Sequence, residues 1–352
     1  MKPLVTVSIV THCSRRFVET CLASVARQQL QPLEIIIVDN ASTDGTAEWL
    51  ENWAQSPAAL GMPVRVFRNA RNVGFAAGQN QAIRDARGEW VLTLNPDVRL
   101  EQAFLLRLVT AARRDPRAGV VCGKLLRAAS DFSIPTHSVI DSTGIYFTRN
   151  LRHLDRGAEQ PDDGRYDSPD YVFGACAAAA LYRREMIEDV SLSGDFFDPD
   201  FFAYREDADV AWRAQLLGWR CLYTPDALGW HVRGMKPGDR RLHAPLMRMH
   251  SVKNRILMRV NNMTGALYRR LWLQATLRDL LVVGGCLFSE PSSLPAFWKA
   301  AACLPRSFKR RRQILARRRV SDDALAQWFS DTPAGRPAPV HVGALPGAAA
   351  AR

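Results

Sequence analysis

The chain contains no Cys-x-x-Cys pair: its seven cysteines (Cys13, Cys21, Cys122, Cys176, Cys221, Cys286, Cys303) are odd in number and widely scattered. That excludes a disulfide framework and a cysteine zinc site, and it suits a reducing compartment. No basic segment followed by an apolar one opens the chain, so export is not expected and a cytoplasmic location is. Nor is there an unbroken apolar run of about 18 residues, so no membrane span is expected. The phosphate-binding glycine signatures are missing as well. No Gly-x-Gly-x-x-Gly follows the first strand-like run, and Gly119 to Lys124 lacks the spacing of a P-loop, which argues against dehydrogenase and P-loop readings. Acidic residues are scarce in one region only. From Arg233 to Val320 there are 3 Asp+Glu against 20 Lys+Arg, so the net charge of +12 belongs wholly to that segment and the remainder is slightly acidic. Two regions with different tasks are expected.

What is present is an alternation. Val5 to Val10, Ile35 to Val38, Val64 to Phe67, Trp90 to Leu94 and Gly119 to Cys122 read as strands, separated by helical patterns such as Thr46 to Ala54, Gln79 to Arg87 and Phe104 to Arg113. Strand, helix, strand in repetition predicts an α/β sandwich with a mostly parallel sheet. With 47% hydrophobic residues the chain can bury one large core, or one core and a smaller appendage.

The pivotal stretch is Glu89 to Val98. Its apolar strand halts at Asn95-Pro96-Asp97, and strand carboxyl ends are where open α/β sheets bind ligands. The same tripeptide can equally be a turn that caps the strand. If phosphates bind here without a glycine loop, a carboxylate holding Mg²⁺ or Mn²⁺ is the natural substitute, and Asp97 is its candidate. Ala129 to Asp170 reads as loops crossing the cleft. A second group of acids, Glu206, Asp207 and Asp209, opens a helical pattern, where a purely dipole-compensating role is the plain alternative.

Val38 to Thr46, Asn72-Val73-Gly74-Phe75, Leu94 to Val98 and Phe201 to Arg213 come in an order and spacing that resemble family 2 glycosyltransferases, in particular the rhamnosyltransferase-like branch. The resemblance covers roughly Val5 to Gly234. It implies a GT-A fold, with Thr11, Asp39 and Asn72 at the nucleotide. It implies Asn95 and Asp97 at the Asp-x-Asp position, and His231 as a further metal ligand beside Asp97. Asn95 departs from the usual first Asp, which leaves one fewer anionic ligand. Asp207 is implied as the general base, with Glu206 positioning the acceptor or raising the pKa of Asp207, while Asp209 caps or salt-links the helix. An inverting transfer needs such a base because the attacking hydroxyl must lose its proton. The donor implied is a nucleotide-sugar, dTDP-rhamnose or a UDP-sugar; the acceptor is a glycan or a polyprenyl-linked sugar. Gln215 to Trp219 lacks the arginine of the processive Gln-x-x-Arg-Trp signature, so single-sugar transfer is expected.

The division expected is a catalytic domain over 1–234, a basic helical region over 235–331 and a disordered tail over 332–352. Leu267 to Phe288 and Ala296 to Ala301 read as basic amphipathic helices lying on the inner membrane face, with Lys309 to Arg312 and Arg317 to Arg319 as cations toward anionic lipid. A basic cap packed on the catalytic domain is the alternative. Two other classes stay open on sequence alone. One is an inert nucleotide fold with a nucleic-acid surface, although the basic run has no interleaved aromatics. The other is a nucleotidyltransferase, against which stands the lack of a glycine-rich basic loop.

Overall fold

The alternation of patterns folds in register with the reading above, in a computed structural model that describes residues 2–59, 61–233 and 244–332. The expected boundary at Gly234, and all of the expected tail after Thr332, lie outside the described residues. The first half gives β1 (Val5–Thr11), α1 (Arg15–Ala26), β2 (Leu33–Asp39), α2 (Thr46–Ala54), β3 (Val64–Arg68), α3 (Phe75–Asp85), β4 (Trp90–Leu94), β5 (Val98–Leu100), α4 (Phe104–Arg113) and β6 (Ala118–Arg127). The segment expected to be loops instead forms β7 (Ile140–Ser142), β8 (Ile145–Phe147) and β9 (His153–Asp155). Each is three residues long, too short for alternation to reveal against the surrounding turns. Then follow β10 (Asp170–Val172), β11 (Ala179–Arg183), α5 (Arg184–Val190), α6 (Glu206–Leu216), β12 (Arg220–His231), α7 (Pro245–Asn262), α8 (Gly265–Phe288), α9 (Pro295–Ala316) and α10 (Asp322–Ala326).

The main sheet runs β10-β12-β6-β11-β4-β1-β2-β3, and β3, β2, β1, β4, β6 and β12 all point the same way. β11 is inserted antiparallel between β4 and β6. Three pairings build the site. Parallel register sets Thr11 beside Asp39 at the ends of β1 and β2. Ala179 of β11 lies opposite Leu94, so small residues cover the end of β4. β5 pairs antiparallel with β12 and sets His231 opposite Val98, one residue from Asp97. One apolar layer joins β1, β2 and β4 to α1 and α4, and another covers the opposite face with α3, α5 and α6.

A third core is shared between the two expected regions: Phe147, Phe173, Phe201 and Trp212 pack with Leu257, Met258, Leu267, Leu271 and Ile314. Charge reinforces this docking. Arg310 pairs with Asp198 (3.0 Å) and Asp200 (2.7 Å), Arg306 with Asp200 (2.8 Å), and Arg318 with Asp322 (3.0 Å). Arg311 donates to the Val260 carbonyl (3.0 Å). Arg317 and Arg319 both reach Asp189, at 3.0 and 2.8 Å. Arg306, Arg310, Arg317 and Arg319 thus pair with acids of the catalytic half, while Arg311 and Arg318 bond groups of the C-terminal helices themselves; Lys309 and Arg312 are exposed. Asp189 also accepts from the Trp219 indole (2.7 Å). Asp189→Ala would strand two guanidiniums and an indole N–H, so a loss of about 2 kcal/mol in urea unfolding is expected. An unchanged midpoint and slope would show that these pairs contribute nothing to docking.

α8 also departs from expectation. Its apolar residues surround it instead of forming one stripe: Leu267, Leu271 and Ala275 are buried, while Trp272, Leu273, Leu277, Leu280, Leu281 and Phe288 are exposed. By length and composition it is the one helix among the described residues apolar enough to cross a membrane. Arg278 and Asp279 interrupt the run, which is why no unbroken apolar stretch showed in the sequence.

Candidate active site

At the nucleotide end, Thr11 donates to Asp39 (2.8 Å), and the Ser42 amide and hydroxyl also bond that carboxylate (2.9 and 2.5 Å). Asp39 is buried and rigidly aimed by the turn that follows β2. Asn72 accepts from the Gly74 amide (2.9 Å), a side-chain turn that shapes the entry to α3. Gly74 has φ +87°, and a Cβ there would lie 2.6 Å from the Phe202 carbonyl oxygen. The turn bearing Asn72 therefore touches the loop that leads to Asp207.

That loop is strained. Phe202, Tyr204 and Arg205 all have positive φ (66°, 72° and 71°), each costing on the order of 1 kcal/mol. Asn254 of α7 offsets the cost by donating to the carbonyls of Phe201, Ala203 and Tyr204 at 2.7–2.8 Å. The result is that Glu206 and Asp207 enter α6 at a fixed angle. α6 begins at Glu206, where the sequence reading opened its helical pattern, but nothing in the sequence signalled the strained backbone before it.

Asn95, Asp97, Glu206, Asp207 and His231 line one cavity of about 910 Å³. Among the described residues that line it, neither Thr11, Asp39 nor Asn72 occurs, so those three stand apart from the other candidates. His231 Nδ1 lies 2.7 Å from Asp141, and its Nε2 lies 3.4 Å from Asp97. Burial pulls the His231 pKa down, but Asp141 and Asp97 outweigh it and raise it to about 9. Asp141 is fully buried; burial raises its pKa, yet His231, Arg233 and Arg127 hold it below the usual carboxylate range. A carboxylate behind a histidine whose second nitrogen faces another carboxylate is a common support for a metal-ligating imidazole. Among the described residues no group of three His, Cys, Asp or Glu converges as a metal cluster. Asp97 and His231 thus fit a cation that completes its coordination with phosphate and water.

Asp207 accepts from the amides of Ala208 (2.7 Å) and Ala177 (3.4 Å). Burial, then Asp155, push its pKa up to about 6. Asp155 is a charged neighbour that raises the Asp207 pKa and that the sequence did not reveal. Glu206 is itself held well above the usual range by burial and by Asp207, and its Oε2 is buried without a hydrogen-bond partner among the described residues. Asp209 does salt-link the helix: it pairs with Arg213 (2.9 Å) in the interior and accepts from Asn262 (2.7 Å). Sequence reading missed Asp141, Asp155, Arg233 and Asn254. Arg233 bridges Asp155 (2.7 Å) and Asp141 (3.2 Å), tying β7 and β9 to the end of β12. The only signal in the sequence was that Asp141 and Asp155 adjoin short apolar or β-branched residues.

Residues 6–191, more than half of the chain, match the family described as glycosyl transferase family 2. The chain belongs to that family. It is a glycosyltransferase, and the competing readings as an inert nucleotide fold or a nucleotidyltransferase fall away. The N-acetylglucosaminyl-diphospho-decaprenol L-rhamnosyltransferase of Mycobacterium tuberculosis is 27% identical over 261 residues, 68% of this chain and 79% of that protein. Staphylococcus aureus TarS has a similar fold (TM-score 0.54, 18% identity), covering 88% of this chain and 50% of that one. So does the Pyrobaculum calidifontis mannosyltransferase PcManGT, solved with GDP-Man and Mn²⁺ (TM-score 0.51, 18% identity), covering 93% of this chain and 88% of that one. The expected GT-A fold stands.

Proposed function

We propose that this glycosyltransferase moves one sugar, with inversion, from a nucleotide-sugar to a hydroxyl of a lipid-linked or cell-surface glycan. Rhamnose is the sugar favoured by the mycobacterial relative, which makes dTDP-rhamnose the first donor to try and a UDP-sugar the second. The observation that carries the reading is Asp207, a carboxylate with pKa about 6 in the same cavity as Asp97 and His231.

In this mechanism Thr11, Asp39 and Asn72 position the nucleotide, with Asp39 toward the base, and Asn95 lines the way to the sugar. Asp97 and His231 would hold a divalent cation, Mg²⁺ or Mn²⁺, which would supply positive charge to the nucleoside diphosphate leaving group, so no protein acid is needed there. Asp207 takes the proton of the attacking hydroxyl. Glu206, whose pKa burial and then Asp207 hold well above the usual carboxylate range, donates a hydrogen bond to the acceptor when protonated. Single transfer is supported by Gln215, which is buried against the Phe173 carbonyl (2.9 Å), and by Gly218 standing where processive relatives carry arginine. We place the enzyme on the cytoplasmic face of the cell membrane, with α8 against the bilayer and no nucleic acid as partner. Packing of Leu267 and Leu271, and the pairing of Asp279 with Arg255 (2.8 Å), favour α8 lying on the membrane over crossing it.

A panel of sugar nucleotides, each assayed with Mn²⁺ for release of the nucleoside diphosphate, tests the reading; no turnover with any of them would defeat it. The pH profile is a sharper check. Only ionised Asp207 accepts a proton, and Asp155, Glu206 and Arg233 are the charged or titratable groups around it. As its pKa is raised, kcat/KM should hold above about pH 6 and fall roughly tenfold per pH unit below it. A profile flat down to pH 4.5 would remove Asp207 from the base role.

A further inference from the structure

The cavity continues past Asp207 to a wall built by α7 and α8, where Arg248, Arg255 and Arg278 stand beside Leu281, Val282 and Cys286, with Arg152 on the opposite rim. Among the described residues, Arg152, Arg248 and Arg255 carry more positive charge than the carboxylates paired with them neutralise. Arg255 is buried and pairs with Asp279, but Asp279 also takes Arg259, so two guanidiniums share one carboxylate. Arg248 donates to the neutral Ser292 hydroxyl (3.3 Å), and its Nε is buried with no acceptor among the described residues. Arg152 is exposed and has no carboxylate partner among them. His153, between these groups, senses the excess. Burial, then Arg205, Arg152, Arg255 and Arg233, hold its pKa well below the ordinary value. Guanidiniums left short of anions in a partly desolvated wall call for a multiply charged anion.

The donor's diphosphate does not answer that call, because it is expected at Asp97 and His231, nearer the strand ends. What adjoins the arginines on their other side is apolar. Leu281, Val282 and Cys286 line the cavity, and the exposed Leu277, Leu280, Leu287 and Phe288 continue along α8 to the outside. Phe288 is 88% exposed, a large cost in water for an isolated ring. A ligand that is anionic at one end, hydrocarbon at the other and carries a sugar hydroxyl to Asp207 matches all three features.

Building on the glycosyltransferase reading, we propose that Arg152, Arg248 and Arg255 form a subsite for the diphosphate of a polyisoprenyl-diphosphate-linked acceptor, whose hydrocarbon chain leaves along α8.

Farnesyl diphosphate is a soluble probe of head and tail together, titrated into the full-length protein by calorimetry. Inorganic pyrophosphate and farnesol supply the head alone and the tail alone. The parent should bind farnesyl diphosphate at least about 10-fold more tightly than either part. Arg152→Ala with Arg248→Gln should weaken it by at least about 10-fold and leave binding of UDP with Mn²⁺ unchanged. The exposed Leu281→Gln should weaken farnesyl diphosphate but not pyrophosphate. Arg255 is left intact because its pairing with Asp279 supports the fold. Equal affinity for pyrophosphate and farnesyl diphosphate would identify a free-phosphate site and overturn the proposal. So would parent-like binding by the arginine variant. A parent that binds UDP and Mn²⁺ but not farnesyl diphosphate would overturn this subsite and spare the transferase reading. Failure of the nucleotide to bind would strike the transferase reading instead.

Discussion

Asp207→Asn is expected to transfer sugar at least about 100-fold more slowly than the parent, while binding nucleotide and Mn²⁺ with unchanged affinity. The substitution keeps size and shape, and the amide oxygen still accepts from the Ala208 amide, the shorter of the two bonds that aim the side chain, while the long bond from the Ala177 amide is lost. What it removes is basicity. Because the attacking hydroxyl is a very weak acid, its proton must pass to a neighbour as the new bond forms, and an amide does not accept it. Burial already costs the carboxylate its ionised form below about pH 6, so the variant should also lose the acid limb of the pH profile. Thermal stability should rise or stay level, since a carboxylate desolvated beside Asp155 is replaced by a neutral group. Single-turnover rates near those of the parent would move the base elsewhere, with Glu206 the first alternative.

Asp97→Ala should weaken Mn²⁺-dependent nucleotide diphosphate binding by at least about 100-fold, because it removes the carboxylate that faces Nε2 of His231. With two protein ligands in prospect, neither is redundant, whereas a site with three acids would tolerate a loss. His231→Ala should show a milder fall, and metal-free nucleotide affinity should not change in either variant. Calorimetry in which Asp97→Ala retains the full Mn²⁺ enhancement would show that the cation, if any, is held elsewhere. The buried Asp141 explains why His231 is more than a structural histidine in this account: its 2.7 Å contact fixes which imidazole nitrogen faces Asp97.

Much of the catalytic half was legible before any coordinates. Buried parallel strands announce themselves as short apolar runs, and each ends in a polar residue that has no reason to be there except the site. Asp39 and Asp97 were read in that way, since strand ends in a parallel sheet necessarily share one edge, whereas Thr11 came only from the family resemblance. The α4 helix matched its predicted limits, Phe104 to Arg113, because its periodicity is strong and its flanks are polar. The reading faltered where structure depends on residues far apart in sequence. β7 and β9 are three residues each and are held by β6 and by Arg233, so Asp141 and Asp155 looked like ordinary loop acids. The strained entry to α6 relies on Asn254, about fifty residues later. The basic run after Lys309 carries charge that composition shows and partners that composition does not. By itself, then, the sequence determined the succession of strands and helices in the nucleotide half and the acids at its strand ends, because local periodicity encodes both. Only the tertiary structure decided that the arginines of α9 face Asp198 and Asp200, that those just after it face Asp189, and that Asp155 raises the pKa of Asp207. Electrostatic partnership depends on distance through space, and a one-dimensional pattern does not contain it.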